Sequence, residues 1–140
     1  MTRTIRLRPW QKAAFDAFVA SDATDFLAVA TPGAGKTTFA LAAARHELGR
    51  HPSRLVVVAP TAHLKLQWAN AAHGVGLHLD PAWSPVDGLA PDLQGIVTTY
   101  QLVASAAAAL AAVAHDAMVV LDELHHAADE RAWGDSIRIA

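Results

Sequence analysis

The sequence predicts an α/β fold: a three-layer domain with a parallel sheet, incomplete at its C-terminus. Two observations carry that expectation. Four short runs, at 26–30 (FLAVA), 55–59 (LVVVA), 96–99 (IVTT) and 118–121 (MVVL), are continuously apolar or nearly so. Strands covered on both faces read this way, whereas strands with one wet face alternate apolar and polar residues. Segments of helical pattern lie between these runs, and strict alternation of helix and strand implies right-handed crossovers onto a parallel sheet. Ligands of such sheets bind at the carboxyl ends of the strands.

The elements follow in order. A helix over 9–20 begins with Pro9, which suits a first helical turn because its missing N–H would be unbonded there anyway. After the first strand, a helix over 37–49 stops at Gly49. The strand at 55–59 leads into a helix over 61–72. The stretch 74–93 (GVGLHLDPAWSPVDGLAPDL) is rich in Gly and Pro and reads as a long surface connection holding a short strand at 77–79. The strand at 96–99 is followed by one helix over 100–114, where the alanine run 106–112 favours helix because alanine loses no side-chain entropy on ordering. Beyond the strand at 118–121, residues 131–140 read as the start of a helix that is not completed, so the pattern stops in mid-architecture.

At 140 residues the chain is the size of one domain, and 53% hydrophobic with 17% charged residues is a globular composition. The formal net charge of −2, from 11 Lys and Arg against 13 Asp and Glu, assigns any nucleic-acid contact to local loops rather than to a basic surface. The absence of cysteine excludes a disulfide scaffold, thiolate zinc sites and thiol nucleophiles. The N-terminal MTRTIRLRPWQ holds no apolar signal-peptide core, and the longest apolar run, 102–114, is too short to span a bilayer. These features predict a cytoplasmic, membrane-free protein.

Residues 30–37 read ATPGAGKT, between a predicted strand and a predicted helix, which is the setting a phosphate-binding P-loop requires. Gly33 and Gly35 let backbone amides converge on phosphate oxygens without a Cβ in the way, and the following helix offers its positive end. Lys36 reaches the β and γ phosphates, and Thr37 supplies a hydroxyl ligand for Mg²⁺. The nucleotide loop accordingly comprises Thr31, Pro32, Gly33, Ala34, Gly35, Lys36, Thr37 and Thr38. Ala30 stands where the general pattern has glycine, a position away from the phosphate-facing glycines.

Residues 117–126 (AMVVLDELHH) deliver Asp122 and Glu123 to the carboxyl end of a buried strand. Beside a P-loop, Asp122 holds the magnesium, and Glu123 orients and deprotonates the water that attacks the γ-phosphate. His125 and His126, with His115 nearby, lack both an HExxH pattern and any cysteine. Zinc sites want three or four ligands at defined spacing, so His125 is read instead as a polar residue coupling the nucleotide site to neighbouring loops.

ATPGAGKT followed 86 positions later by DELH resembles motifs I and II of the superfamily 2 helicases and translocases of the DExH type. The resemblance runs from about residue 7 to residue 129 and implies an N-terminal RecA-like P-loop NTPase domain using ATP and Mg²⁺. LRPWQ at 7–11 resembles the upstream adenine-reading element, which implies that Gln11 bonds the adenine edge while Arg8 or a neighbour packs on the ring. APTAHLKLQW at 59–68 is similar to motif Ia, implying nucleic-acid backbone contact at Pro60 and Thr61; VTTYQ at 97–101 resembles a later strand-contact motif, implying the same for Thr98, Thr99 and Tyr100. DNA is the implied partner, with RNA left open.

Family members continue into a Ser/Thr-Ala-Thr motif III and a second RecA-like domain that carries an arginine finger. Residues 1–140 end before both, and Arg131 and Arg138 come too early to be that arginine. The expectation is therefore a partial N-terminal ATP-binding domain, slow in hydrolysis by itself because such an arginine is worth about 10³–10⁵ in rate. Two other readings stand beside it. One is another P-loop NTPase, such as a small kinase or an AAA-type ATPase; the other is a non-catalytic, nucleotide-responsive binding module.

Overall fold

The computed structural model describes residues 5–21, 26–30, 35–50, 54–84, 93–114, 117–123 and 135–139, of which 26–30, 112–114, 123 and 135–139 are described by their backbone alone. The elements are α1 (Pro9–Ala20), β1 (Phe26–Ala30), α2 (Lys36–Arg50), β2 (Leu55–Ala59), α3 (Ala62–Gly74) and β3 (Leu79–Asp80), then β4 (Gly95–Thr99), α4 (Tyr100–Ser105), α5 (Ala107–Ala114), β5 (Met118–Glu123) and β6 (Asp135–Ile139). The strands form one sheet in the order β1-β6-β5-β2-β4-β3.

β5, β2, β4 and β3 are mutually parallel, in keeping with the α/β class read from the continuous apolar runs. β6 is antiparallel to both of its neighbours, β1 and β5. Because β6 reverses direction twice, β1 runs the same way as β5, and the carboxyl ends of β1, β5, β2 and β4 share one edge of the sheet.

The alternation of side chains along the strands explains why the sequence shows no polar face. Leu55, Val57 and Ala59 of β2 join Met118 and Val120 of β5 and Val97 of β4 in a cluster with Phe39, Ala40, Ala43 and Ala44 of α2 and Trp68 and Ala72 of α3. Val56, Val58 and Ile96 point the other way, into a cluster with Trp83 and Leu110, against which Leu102 and Val103 pack. Each face of the sheet carries a helix layer, so both parities of the strands must be apolar.

Two sequence expectations are corrected. The helix expected over 100–114 is two helices, broken at Ala106, whose φ of −136° and ψ of 38° leave helical geometry. Ser105 marks the break: its Oγ donates to the Leu102 carbonyl at 3.2 Å, a local bond of the kind by which serine competes with helix continuation. The uncompleted helix expected over 131–140 is instead the strand β6 across 135–139, residues 131–134 and 140 lying outside the described residues. DSIRI places isoleucine at alternating positions, a period of two that suits a strand. The slot between β1 and β5 also leaves two rows of backbone N–H and C=O groups that need a partner. The short strand expected at 77–79 forms at Leu79–Asp80.

The tightest point of the sheet is Gly95, opposite Leu55 in the β2–β4 register. A Cβ there would collide with the Leu55 carbonyl oxygen and with its amide nitrogen at 2.8 Å, and neither backbone group can swing aside. Gly95→Ala is therefore expected to destabilise the domain by about 1–3 kcal/mol, the cost of overpacking a rigid site, measured as a lowered urea midpoint.

Candidate functional site

The site is assembled where β1, β5, β2 and β4 end. α2 opens at Lys36 directly after Gly35, whose φ of +87° lies in the left-handed region that glycine adopts without a Cβ penalty. Phe39 N donates to Gly35 O at 3.3 Å, the first turn of the helix, so the positive end of α2 begins at this loop. Gly35 is required for a second reason. Gln11 Nε2 donates to Gly35 O at 2.7 Å, and a Cβ on residue 35 would fall on that same amide nitrogen.

Gln11 is only 2% exposed. Its other amide atom, Oε1, accepts from Arg8 N at 2.6 Å, closing the first turn of α1 behind Pro9. Both ends of this amide are therefore engaged, one in starting α1 and the other in fixing the loop carbonyl. Arg8 stands exposed at the N-cap of α1.

Asp122 sits on β5 with Met118 and Val120 on the α2–α3 face of the sheet, and is 2% exposed. Its Oδ1 accepts from Lys36 Nζ at 2.6 Å, and its Oδ2 accepts from Trp68 Nε1 at 2.9 Å. Its backbone carbonyl accepts from the Tyr100 hydroxyl at 3.2 Å. A carboxylate taken out of water costs several kcal/mol unless it is paired and hydrogen-bonded, and here one cation and one neutral donor divide its two oxygens. The Lys36 side chain keeps 14% exposure, so this pair borders the solvent that a ligand would displace.

Thr37 and Thr38 lie half-buried in the first turn of α2. The Thr37 hydroxyl and the Asp122 carboxylate are hard oxygen donors on neighbouring elements tied together by Lys36, a donor set that suits Mg²⁺, which takes few protein ligands and keeps waters. Glu123 ends β5 with its backbone opposite Ser136. Its side chain lies outside the described residues, as do Thr31, Pro32, Gly33, Ala34 and His125. Among the described residues no group of three or more His, Cys, Asp or Glu could hold a metal, and no helix is long and apolar enough to cross a membrane.

Pro60 and Thr61 follow β2 on the same edge. Thr61 is exposed, and its Oγ1 accepts from Leu64 N at 3.1 Å as the N-cap of α3. Thr99 does the same for α4, accepting from Leu102 N at 3.3 Å, and Tyr100 beside it is 37% exposed. Thr98 departs from the sequence expectation. It is 1% exposed, with its hydroxyl lacking a hydrogen-bond partner among the described residues, so it is an interior strand residue and not a surface that nucleic acid touches. The reason is strand parity: Thr98 shares its face with Ile96, and the chain reaches solvent one residue later.

The family of the type III restriction enzyme res subunit matches residues 4–138. The chain belongs to that family. The family's helicase-like, RecA-type ATPase domain agrees with the α/β sheet just described. Two uncharacterised proteins of Mycobacterium tuberculosis and one of Mycobacterium leprae are each 44% identical over 138 residues, covering 96% of this chain. The chain spans 23% of the length of these relatives. No solved structure matches.

Sequence reasoning missed Trp68. Its position in APTAHLKLQW suits the buried stripe of an amphipathic helix, and only the general rule that a buried indole seeks an acceptor hints at more. In this family member that acceptor is Asp122, 54 positions away.

Removing Lys36 should expose the cost of the buried carboxylate. Lys36→Met is expected to lower unfolding free energy by about 3 kcal/mol, the lower end for breaking a buried pair because Lys36 retains some solvent. Lys36→Met combined with Asp122→Asn should recover most of that loss, and chemical denaturation of both variants and wild type checks it.

Proposed function

We propose that the protein binds ATP with Mg²⁺ between residues 31–38 and the end of β5, and hydrolyses it as the N-terminal motor half of a superfamily 2 DNA helicase or translocase of the DExH type. The observation that carries this reading is the meeting of Lys36 and Asp122 at 2.6 Å, across 86 positions of sequence, at the carboxyl ends of the strands. A lysine that closes a glycine turn and a carboxylate that ends a buried strand are the two charges that triphosphate and its metal need.

Without ligand these two groups neutralise each other. On nucleotide binding Lys36 turns from Asp122 to the β and γ phosphates, while Asp122 and Thr37 become free to hold the metal. Mg²⁺, held by Asp122 and Thr37, would supply charge neutralisation for the phosphates. Gly33, Gly35 and the first amides of α2 cradle the phosphates, within the loop formed by Thr31, Pro32, Ala34 and Thr38. Glu123, one residue beyond the metal carboxylate, orients the attacking water and takes its proton. Arg8 meets the base together with Gln11, which has one N–H and one Oε1 lone pair left beyond its bonds to Gly35 O and Arg8 N, so base recognition and the phosphate loop share one side chain. His125 links the site to neighbouring loops. The arginine that completes the transition state comes from a second RecA-like domain outside residues 1–140, without which turnover is slow.

The likeness to a restriction-enzyme subunit favours DNA over RNA. Pro60, Thr61, Thr99 and Tyr100 are the contacts we assign to its backbone, and Lys65 on α3 adds a nearby cation. Backbone contacts carry no sequence information, so binding is expected to be indifferent to sequence.

In a fluorescent-ATP titration with Mg²⁺, Lys36→Ala should lose saturable binding. Glu123→Gln should keep binding and slow hydrolysis by about 10²–10⁴-fold, the contribution of a positioned base. A Lys36→Ala variant that binds like wild type would overturn the reading. Single-stranded DNA binding should weaken as salt rises, with a shallow slope because few cations meet phosphate.

A further inference from the structure

We propose that Trp68 is the positioning residue of the nucleotide site: its indole N–H holds Oδ2 of Asp122 and thereby turns Oδ1 toward the metal of a bound nucleotide. The inference rests on the nucleotide-site reading above and goes beyond it, because it assigns a task to a helix residue that contacts neither nucleotide nor metal.

The two donors on this carboxylate differ in kind. Lys36 carries its charge on a flexible stem, has 14% side-chain exposure and is the group that nucleotide draws away. Trp68 is 2% exposed and packed in the same cluster as Phe39, Val57, Val97 and Ala72. Its indole has one donor and no acceptor, so moving it off Asp122 would mean unpacking α3 from the sheet. Exchange of ligands at Oδ1 therefore leaves Oδ2 held throughout.

That constraint matters because an aspartate's terminal torsion is broad and roughly two-fold, so a carboxylate without a second anchor pivots between orientations. The Tyr100 hydroxyl at 3.2 Å from the Asp122 carbonyl fixes the main chain beneath, but not the carboxylate plane. Trp68 supplies the missing restraint at 2.9 Å. Groups that orient a metal-binding carboxylate in this way are worth about 10–100-fold in metal affinity.

Trp68→Phe keeps the buried ring and removes the N–H, so it isolates the bond. In the full-length protein, nucleotide affinity is measured in EDTA, and the Mg²⁺ midpoint is then measured at fixed nucleotide. The expected result is a Mg²⁺ midpoint raised about 10–100-fold with metal-free nucleotide affinity unchanged. Equal loss in both buffers would reduce Trp68 to a packing residue and overturn the inference, as would an unchanged midpoint in a variant that folds. A wild type that binds nucleotide in neither buffer would sink the nucleotide-site reading itself, an outcome distinct from failure in Trp68→Phe alone. Should Trp68→Phe not fold, the indole N–H resonances of wild type decide. One of them must shift in Asp122→Asn and must keep its hydrogen-bonded position when Mg²⁺ and ATP are added to wild type; absence of such a signal, or its loss on ligand addition, overturns the proposal.

Discussion

A carboxylate with 2% exposure in the middle of a sheet is a demand that neighbouring elements have to meet, and Asp122 is met from three directions. Lys36, the first residue of α2, neutralises it; Trp68, in the body of α3, hydrogen-bonds it; Tyr100, the first residue of α4, bonds its backbone carbonyl. Each contact also pins the helix that provides it. The N-terminal end of α2 is tied to the end of β5 by the same ion pair that makes the buried charge tolerable. Stability and site geometry are thus one arrangement, and a change to either charge is felt in both.

The alanine content that dominates the composition has a structural meaning. Ala40, Ala43 and Ala44 are fully buried on α2 beside Phe39, in the layer shared with Trp68 and Ala72. Small side chains there let α2 lie close against the sheet, while bulk is concentrated in Phe39, which meets Trp10 of α1 with ring centroids 6.2 Å apart. α2 is therefore seated by its first turns, next to the Lys36–Asp122 pair, rather than by its exposed end at Gly49 and Arg50.

The strands were legible because both faces of the sheet are covered. FLAVA and LVVVA have no polar residue to blur their ends, and β1 and β2 occupy those same residues. The helix break at Ala106 was not legible, since Ser105 is its one local mark and a single serine is also tolerated inside an alanine-rich helix. β6 was hidden for a different reason: DSIRI is short enough for either periodicity, and the open slot between β1 and β5 decides between them. In the site, Lys36 and Asp122 could be found because each ends a recognisable local pattern. Trp68 could not, because the direction of its indole depends on how α3 lies across the sheet. Thr98 and Thr99 look alike in sequence, and only strand parity makes the first interior and the second a helix cap.

β6 also has a mechanical side. β1 and β5 run in the same direction yet share no hydrogen bonds; β6 lies between them, pairing Asp135 with Ala30, Ser136 with Glu123 and Ile137 with Asp122. β1 and β5 are thus held two strand spacings apart, about 10 Å, by one five-residue segment acting as a gauge. The separation of the two strand ends is a property of the sheet, set by backbone ladders on both sides of that segment.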